Sequence, residues 1–447
     1  RTRHLYRRGF RFPLLNTLPG GPDTDTRRVS EPFRRPVITG IGLVSAAGIG
    51  IGPTWRYIQE GKPKTSSIKV PGPAGTTTQF LAYAAPEYAI GEVVETAVPS
   101  AQLEHEGIDS ARDLKHLIAS VGLALDDAAV RSADIDLDDV GVIIADEHPG
   151  VEQLSRKLYE GVTIESAAAL SDNIFELNSF LTPYRVARAF GLGGESSFVN
   201  TACTSGLSAM DYAAAQIRLG RASVALAAAC DDPLSSGKYQ WFAERNLYSN
   251  DGMLLPFSAD AAGTVFGDGG AALVFEEREH ALARGAHIYA EYLGAGFTQD
   301  GWRVSAPLPQ RANQARAIRR ALSEAQRAPH DIDVVVPHGT GIRPTDQYER
   351  RCIHDVWREP DELPACLALK SYVGHNLGGA SLLEAAVLIK AIEAQRLPPF
   401  ASPDRPRQGL SLASEGPWRS ADIGLAVKAS AAFAGYYGAV VLGRSSS

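Results

Sequence analysis

The sequence contains few cysteines, no excess of basic residues and no long apolar run. Its four cysteines, Cys203, Cys230, Cys352 and Cys366, lie far apart, so no pair has the spacing of a zinc knuckle or a C-x-x-C redox site. This usage indicates a reducing compartment, and we expect a cytoplasmic protein. A net charge of −7 and a pI near 5.9 give no broad basic surface for nucleic acid. The longest apolar stretches are far shorter than the ~20 residues of a membrane span, so we expect none.

What remains is the composition of a large globular protein. Of its 447 residues, 45% are hydrophobic and 21% are charged, which is enough to bury a large core. Residues 1–35 differ from the rest, with nine arginines and no sustained hydrophobic period. They predict a flexible N-terminal extension that takes no part in the fold. A targeting or docking arm is the alternative interpretation.

From residue 36 onward, strand-like and helix-like patterns alternate. Residues 37–44 predict a buried strand, and residues 111–130 predict a long amphipathic helix. From residue 288 the order of helices and strands resembles that of the first half, without a visible sequence repeat. The alternation predicts α/β layers with mixed sheets. We therefore predict two structural halves, over residues 36–280 and 281–447.

Cys203 is the first candidate for a functional residue, because it lies where a predicted strand (198–202) meets a predicted helix (204–219). The unpaired N–H groups and the dipole of a helix N-terminus stabilise a thiolate, so we expect the pKa of this thiol to be lowered. Small neighbouring residues leave room for a thioester to approach. The alternative is a small buried core cysteine.

Two further motifs contain histidine. His338 follows the predicted strand 334–336 in the segment P-H-G-T-G, and ligands gather at the ends of such strands. Lys370 and His375 flank a tight turn in K-S-Y-V-G-H-N-L-G-G, ahead of a helix predicted over residues 382–394. The alternatives are a histidine that merely closes a strand and a polar loop in which Asn376 caps the helix.

Taken together, these motifs occur in a specific order: A-C-T-S-G at 202–206, H-G-T-G at 338–341, and K-S-Y-V-G-H-N-L-G at 370–378. This order resembles the β-ketoacyl synthase (ketosynthase) family of the thiolase superfamily, over residues 36–443. With Asp346 and Glu349 after H-G-T-G, the motifs are most similar to those of type II polyketide synthase ketosynthase subunits. The resemblance implies a thiolase-like α/β fold of five layers, αβαβα, built from two similar halves.

The resemblance also implies an activity, that of a β-ketoacyl-carrier-protein synthase in polyketide or fatty-acid biosynthesis. In such an acyltransferase, Cys203 would take an acyl chain from a carrier-protein thioester. His338 and His375 would hold the thioester carbonyl of a malonyl extender while carbon dioxide leaves, in a decarboxylative Claisen condensation. Lys370 would order the two histidines, and Glu384 would be its acidic partner.

The family likeness implies an acyl carrier protein as partner, with substrates carried as phosphopantetheine thioesters and with neither cofactor nor metal. It further implies a homodimer, or a heterodimer with a related ketosynthase-like subunit, formed through the strand near residues 198–202. The family's C-terminal loop N-S-F-G-F-G-G reads A-A-F-A-G-Y-Y here. Phe433 is kept, but the gating aromatic becomes Gly435, which leaves gating and acyl-chain selectivity open.

Two alternative functions remain. The altered loop is compatible with an acyltransferase of the same fold that performs no decarboxylation. A non-catalytic partner subunit, similar to a chain-length factor, would shape a tunnel without doing chemistry. Such subunits lack the cysteine, so the presence of Cys203 with both histidines argues against the second alternative.

Overall fold

The computed structural model describes residues 34–105, 108, 111–151, 154–155, 177–359, 362–399 and 419–445. The described strands are β1 Pro36–Ser45, β2 Gly48–Ile49, β3 Ser66–Pro71, β4 Thr77–Ala82, β5 Gly141–Asp146, β6 Ser196–Val199, β7 Val224–Asp231, β8 Gly269–Glu277, β9 Ala290–Gln299, β10 Val334–Val336, β11 Ala365–Cys366, β12 Arg396–Leu397, β13 Arg419–Ser420, β14 Leu425–Ala431 and β15 Tyr436–Gly443. The described helices are α1 Ile51–Glu60, α2 Ile90–Val93, α3 Ser100–His105, α4 Arg112–Asp127, α5 Leu181–Phe190, α6 Ser205–Arg218, α7 Ser236–Ala243, α8 Arg278–Ala283, α9 Asn313–Glu324, α10 Arg343–Val356, α11 Lys370–Val373 and α12 Leu377–Ala394.

The strands repeat one arrangement twice. In the first half the order is β1-β8-β7-β5-β6, and in the second it is β9-β15-β14-β10-β11. In each half the first two pairings are antiparallel and the last two are parallel. The halves join through a short antiparallel pairing of β1 with β9, where Val37 lies opposite Glu291.

Helices cover both halves and also fill the space between them. α6 packs on β5 and β7, and α12 packs on β7, β8 and β14 as well as on α6. The outer faces are covered by α4 and α5 in the first half and by α9 and α10 in the second. The resulting order is helix, sheet, helix, sheet, helix. Because both faces of each sheet are covered, β1, β5 and β7 are buried along their whole length and are mostly apolar, without a polar residue at every second position.

The structure shifts some predicted boundaries. The predicted strand 198–202 ends at Val199, because residues 200–204 turn sharply before α6 begins. The helix predicted from residue 382 begins at Leu377, since its first turn contains two glycines and hides the helical period. The hairpin of β3 with β4 and helix α7 were not predicted.

The division of the chain at residue 280 stays a prediction, and residues 1–33 of the predicted N-terminal extension lie outside the described residues. Within the described ranges, no helix has both the length and the hydropathy that crossing a bilayer requires.

Candidate active site

Cys203 lies in the turn between β6 and α6, one residue before the N-cap of that helix. Ala202 has a left-handed backbone with φ of 50°, a conformation that costs a non-glycine residue roughly 1–3 kcal/mol. Hydrogen bonds hold the turn in place: Thr201 N donates to Ser205 Oγ at 2.7 Å, and the Ser205 hydroxyl donates to Ala202 O at 2.6 Å. The turn thereby aims the Cys203 side chain away from the helix and toward the second half of the protein.

The Cys203 thiol is buried, and its Sγ lies 3.5 Å from Nε2 of His375. Burial raises the pKa of this thiol well above its usual value, and the nearby Glu147 carboxylate raises it further. The sequence predicts a lowered pKa for this thiol, and that prediction is wrong. The loss of water around the thiol outweighs the effect of the N-terminus of α6, which lies two residues later. The resting group is therefore a neutral thiol, which must give up its proton when it attacks.

His338 and His375 converge from different elements of the second half. His338 follows β10 and His375 precedes α12, yet their rings lie 5.3 Å apart between centroids and are nearly perpendicular. Burial lowers the pKa of both imidazoles well below the usual value, and the Lys370 ammonium lowers both further. Both rings are therefore neutral at physiological pH, and a neutral imidazole has one N–H to donate and one nitrogen that accepts.

Backbone and side-chain contacts fix His338. The Glu349 carboxylate accepts hydrogen bonds from the backbone N–H of His338 at 2.7 Å and from that of Gly339 at 2.8 Å. The Ser430 hydroxyl donates to Cys203 O at 3.2 Å, and its oxygen lies 3.3 Å from His338 Nδ1. Ser430 thus links the cysteine turn to the imidazole, a contact that sequence reasoning missed.

A turn of close backbone contact positions His375. Its N–H donates to Val265 O at 2.9 Å, and its carbonyl accepts from Gly267 N at 3.2 Å. Gly374 has φ of 75°, and a β-carbon there would lie 2.7 Å from the backbone of Gly267. Only glycine fits at 374, which explains the G-H pair of the motif. Asn376 takes the N-cap position of α12, but its amide donates to Asp231 O and to the carbonyl of Gly267 rather than capping the helix.

Lys370 and Glu384 form a buried ion pair, with Nζ 2.7 Å from Oε2 and both side chains 1% exposed. Lys370 also donates to the backbone carbonyl of His338 at 2.6 Å. A second buried lysine, Lys428 on β14, lies 3.0 Å from the same Glu384 oxygen. Lys428 is not among the predicted site residues, although a single lysine within the mostly apolar segment 425–431 is a detectable signal.

The altered C-terminal loop is a compact turn at residues 433–435. Phe433 packs against Trp241 and Phe242, with ring centroids 5.6 and 5.8 Å away. Gly435 has φ of 73°, and a β-carbon there would collide with the Asp300 carboxylate. Tyr437 donates to that carboxylate at 2.9 Å. An aromatic residue at 435 is thus excluded by Asp300.

These groups share one cavity, which leaves about 50 Å³ for solvent. Its walls include Cys203, His338, His375, Phe433 and Tyr437. The predicted residues Cys203, His338, His375 and Phe433 therefore meet at one place. Gly435 supports the loop beneath them, while Lys370 and Glu384 lie behind the imidazoles.

One further cluster of polar groups lies near enough to the thiol for two of its carboxylates, Glu147 and Asp231, to raise the thiol pKa. Glu147, His148 and Asp231 bring one ligand atom each within 4.8 Å of one another. Asp231 already accepts a hydrogen bond from Lys238 Nζ at 2.8 Å, and this positive charge opposes a cation at the same carboxylate. The cluster is an ion-pair network.

Comparison with known proteins adds a family and a set of relatives. Models of the β-ketoacyl synthase N-terminal and C-terminal domains match residues 34–281 and 289–403. A putative polyketide beta-ketoacyl synthase 1 of Streptomyces cyaneus is 31% identical over 383 residues, covering 83% of this chain and 89% of the relative.

Two similar solved structures each cover 92% of this chain and 100% of their own, with a TM-score of 0.77. One is the ishigamide ketosynthase/chain length factor, at 28% identity. The other is a type II polyketide synthase acyl-carrier protein in complex with its ketosynthase bound to the hexaketide, at 26% identity.

Proposed function

Because this chain belongs to the β-ketoacyl synthase family, we propose that it catalyses a decarboxylative Claisen condensation between a Cys203-bound acyl chain and a malonyl-carrier thioester. The family resemblance and the thiolase-like α/β fold predicted from the sequence are confirmed. The observation that carries the proposed reaction is the convergence of one thiol and two neutral imidazoles on a single buried cavity.

In the first proposed step, Cys203 accepts the acyl chain. The neutral thiol gives its proton to Nε2 of His375, 3.5 Å away, as the sulfur attacks the carbonyl carbon of the incoming thioester. The carrier thiolate leaves with the electron pair of the broken C–S bond and takes the proton from the imidazolium. His375 is then neutral again, and the acyl group is held as a thioester on Cys203.

In the second proposed step, the malonyl thioester enters with its carbonyl oxygen between His338 and His375. The bond to the carboxylate carbon breaks, carbon dioxide leaves, and the electron pair forms an enolate whose oxygen the imidazole N–H groups stabilise. Each ring here carries its single proton on the nitrogen that faces the cavity, and His375 reaches this tautomer by exchanging its Nδ1 proton for one on Nε2 after the carrier has left. The enolate carbon attacks the acyl group on Cys203, the C–S bond breaks, and the Cys203 thiolate is released and takes a proton from solvent to return to the neutral thiol. Low imidazole pKa values support this role, because a neutral ring does not attract the substrate carboxylate that must depart.

Lys370, with Glu384, is proposed to hold the His338 segment in place rather than to touch the substrate. Its ammonium donates to the His338 carbonyl and to the Glu384 carboxylate in a site that excludes water. Phe433 and Gly435 form the loop at the cavity wall, where the acyl chain would pass. We propose no cofactor, because the thioester itself activates both carbonyl groups.

The proposed partners are an acyl carrier protein, which presents phosphopantetheine thioesters, and a second ketosynthase-like chain. The relative of known structure that binds an acyl-carrier protein supports the first. For the second, β6 is an edge strand among the described residues, and an edge offers unpaired backbone groups to a partner. Phe180 and Tyr184 beside it are more than half exposed. Either a homodimer or a heterodimer would use this edge. We propose a cytoplasmic location as well, as the sequence predicts.

An acyltransferase without decarboxylation is the second candidate, and one observation favours it. The amide N–H of Ala434, in the altered loop, already donates to Val304 O at 2.6 Å. This amide is thus engaged in the resting protein and would not assist an oxyanion without a loop movement. Such a protein would pass the acyl group from Cys203 to another acceptor.

The test supplies an acyl-carrier thioester and a malonyl-carrier thioester together and measures released carbon dioxide and the β-ketoacyl product by mass spectrometry. We expect equal amounts of both products, and His338→Ala should form both roughly 10²–10³-fold more slowly. Acyl transfer without carbon dioxide would favour the second candidate. Carbon dioxide without a new carbon–carbon bond would contradict the proposed condensation.

A further inference from the structure

Lys428 is a charged residue on a face of β14 that points into the protein interior. Along the strand, Val427 and Ala429 face the outer helices, while Ala426 faces the central layer of helices. Lys428 shares the face of Ala426 because side chains alternate along a strand. Its side chain is 0% exposed. Buried ammonium groups are destabilising unless they are paired and hydrogen-bonded, so the contacts of Lys428 indicate what holds it there.

Lys428 has three acceptors. Its Nζ lies 3.0 Å from Glu384 Oε2 and donates to Pro337 O at 3.0 Å and to Ala429 O at 2.8 Å. An ammonium has three N–H donors and no acceptor. All three are thus used, and two of the three acceptors belong to the immediate support of the active site.

The two buried lysines donate hydrogen bonds to the backbone carbonyls of consecutive residues. Lys428 binds the carbonyl of Pro337, and Lys370 binds the carbonyl of His338, the next residue. Both ammonium groups also bind the same oxygen of Glu384. Two positive charges and one carboxylate therefore lie directly behind the imidazole of His338.

We propose that Lys428 is a positioning residue of the active site, which fixes the backbone before His338 and supplies a positive charge that keeps His338 and His375 neutral. The inference rests on the proposed function, because a neutral imidazole pair matters only if it holds a thioester carbonyl. It adds a second lysine to the single one that the family motif supplies.

The surrounding charges support this role of Lys428. After burial and the Lys370 charge, Lys428 also contributes to the lowered pKa of His338 and of His375, while Asp231 on β7 opposes it at His375. The pKa of Lys428 itself is lowered to about 8 by burial, which Glu384 partly offsets. The ionisable groups that interact electrostatically with Lys428 from the packed elements are Glu384 of α12, Lys370 of α11, Glu349 of α10, Cys366 of β11, and the two histidines.

The experiment compares wild type with Lys428→Met, which keeps the length of the side chain and removes its charge. The rate of carbon dioxide release from a malonyl-carrier thioester is measured as kcat/KM from pH 5 to 8.5. In the pH profile, the acid limb is the range in which kcat/KM falls as the imidazoles become protonated. Since removal of a nearby positive charge raises an imidazole pKa, this acid limb should move to higher pH by about one unit. On that limb the variant should be about tenfold slower than wild type, and near pH 8 the difference should be only about two- to threefold.

Lys62→Met is the matched control, because Lys62 is an exposed lysine far along the chain from the site, and it should leave the profile unchanged. Lys428→Gln serves as a second variant that has an amide donor without a charge, and its acid limb should shift in the same way.

An unmoved acid limb in both variants would overturn the inference, since loss of a purely structural lysine lowers the rate equally at every pH. Failure of both variants to fold would also count against it, because the lysine would then serve the core alone. If the wild-type protein released no carbon dioxide at all, the proposed function itself would fail.

Discussion

Replacement of Glu384 by glutamine should destabilise the protein by an amount that depends on pH. The wild-type carboxylate lies 2.7 Å from Lys370 Nζ and 3.0 Å from Lys428 Nζ, and all three side chains are at most 1% exposed. Loss of one partner from such a buried ion pair costs about 3–5 kcal/mol. Glu384→Gln should therefore lower the free energy of unfolding by about that amount at pH 6.

The pH dependence follows from Lys428. Burial lowers the pKa of this lysine to about 8 in the wild type, and Glu384 opposes the shift. Without the carboxylate, the pKa should fall further. A lysine with a lowered pKa in the folded protein destabilises it fully at low pH, and stability recovers as the pH rises through that value. In the variant this recovery of stability begins at a lower pH. The deficit in its unfolding free energy relative to wild type should therefore shrink at high pH by about 1.4 kcal/mol for each unit by which the Lys428 pKa falls further.

Urea unfolding of both proteins at pH 6, 7.5 and 9 tests this reasoning. If the pKa falls by two further units, the deficit at pH 9 should be about 3 kcal/mol smaller than at pH 6. Glu244→Gln makes the same chemical change at a side chain that is 74% exposed, and we expect it to have little effect at any pH. A deficit that is equal at all three pH values, or below about 1 kcal/mol, would refute the account of the buried charges.

Three further substitutions test other parts of the site. His338→Ala should slow malonyl-carrier decarboxylation by roughly 10²–10³-fold, because one carbonyl donor is lost, while acylation of Cys203 followed by mass spectrometry should persist. Ser430→Ala should lower kcat by about fivefold with KM unchanged in steady-state kinetics, since it removes one hydrogen-bonding partner of His338. Gly435→Ala should lower the unfolding free energy in urea by about 1–3 kcal/mol, because its β-carbon would meet Asp300, and an unchanged value would contradict the clash.

Much of the fold follows from local sequence patterns. The mostly apolar strands β5 and β7, and the amphipathic helix α4, are strong signals because burial on one or both faces dictates their composition. Less visible were β3 and β4, which are half exposed and carry polar residues. The start of α12 was also missed, since Gly378 and Gly379 weaken helix propensity where close packing requires glycine.

The candidate site was predictable only where a short motif contained it. Cys203, His338, Lys370 and His375 lie in such motifs, and the structure brings them together. The direction of the Cys203 pKa was wrong, because the loss of water around the thiol depends on residues distant in sequence. Ser430 and Lys428 were missed for the same reason: each acts through partners more than forty positions away, which a local pattern does not reveal.

The central claim is that Cys203 carries the acyl chain, and intact-mass analysis measures this most directly. Wild type and Cys203→Ala are incubated with acyl-carrier thioesters of several lengths, and each protein is weighed after removal of the carrier. The account predicts a mass increase equal to one acyl group in the wild type and none in the variant. An adduct that persists in Cys203→Ala would contradict it, because another side chain would then be the attachment point.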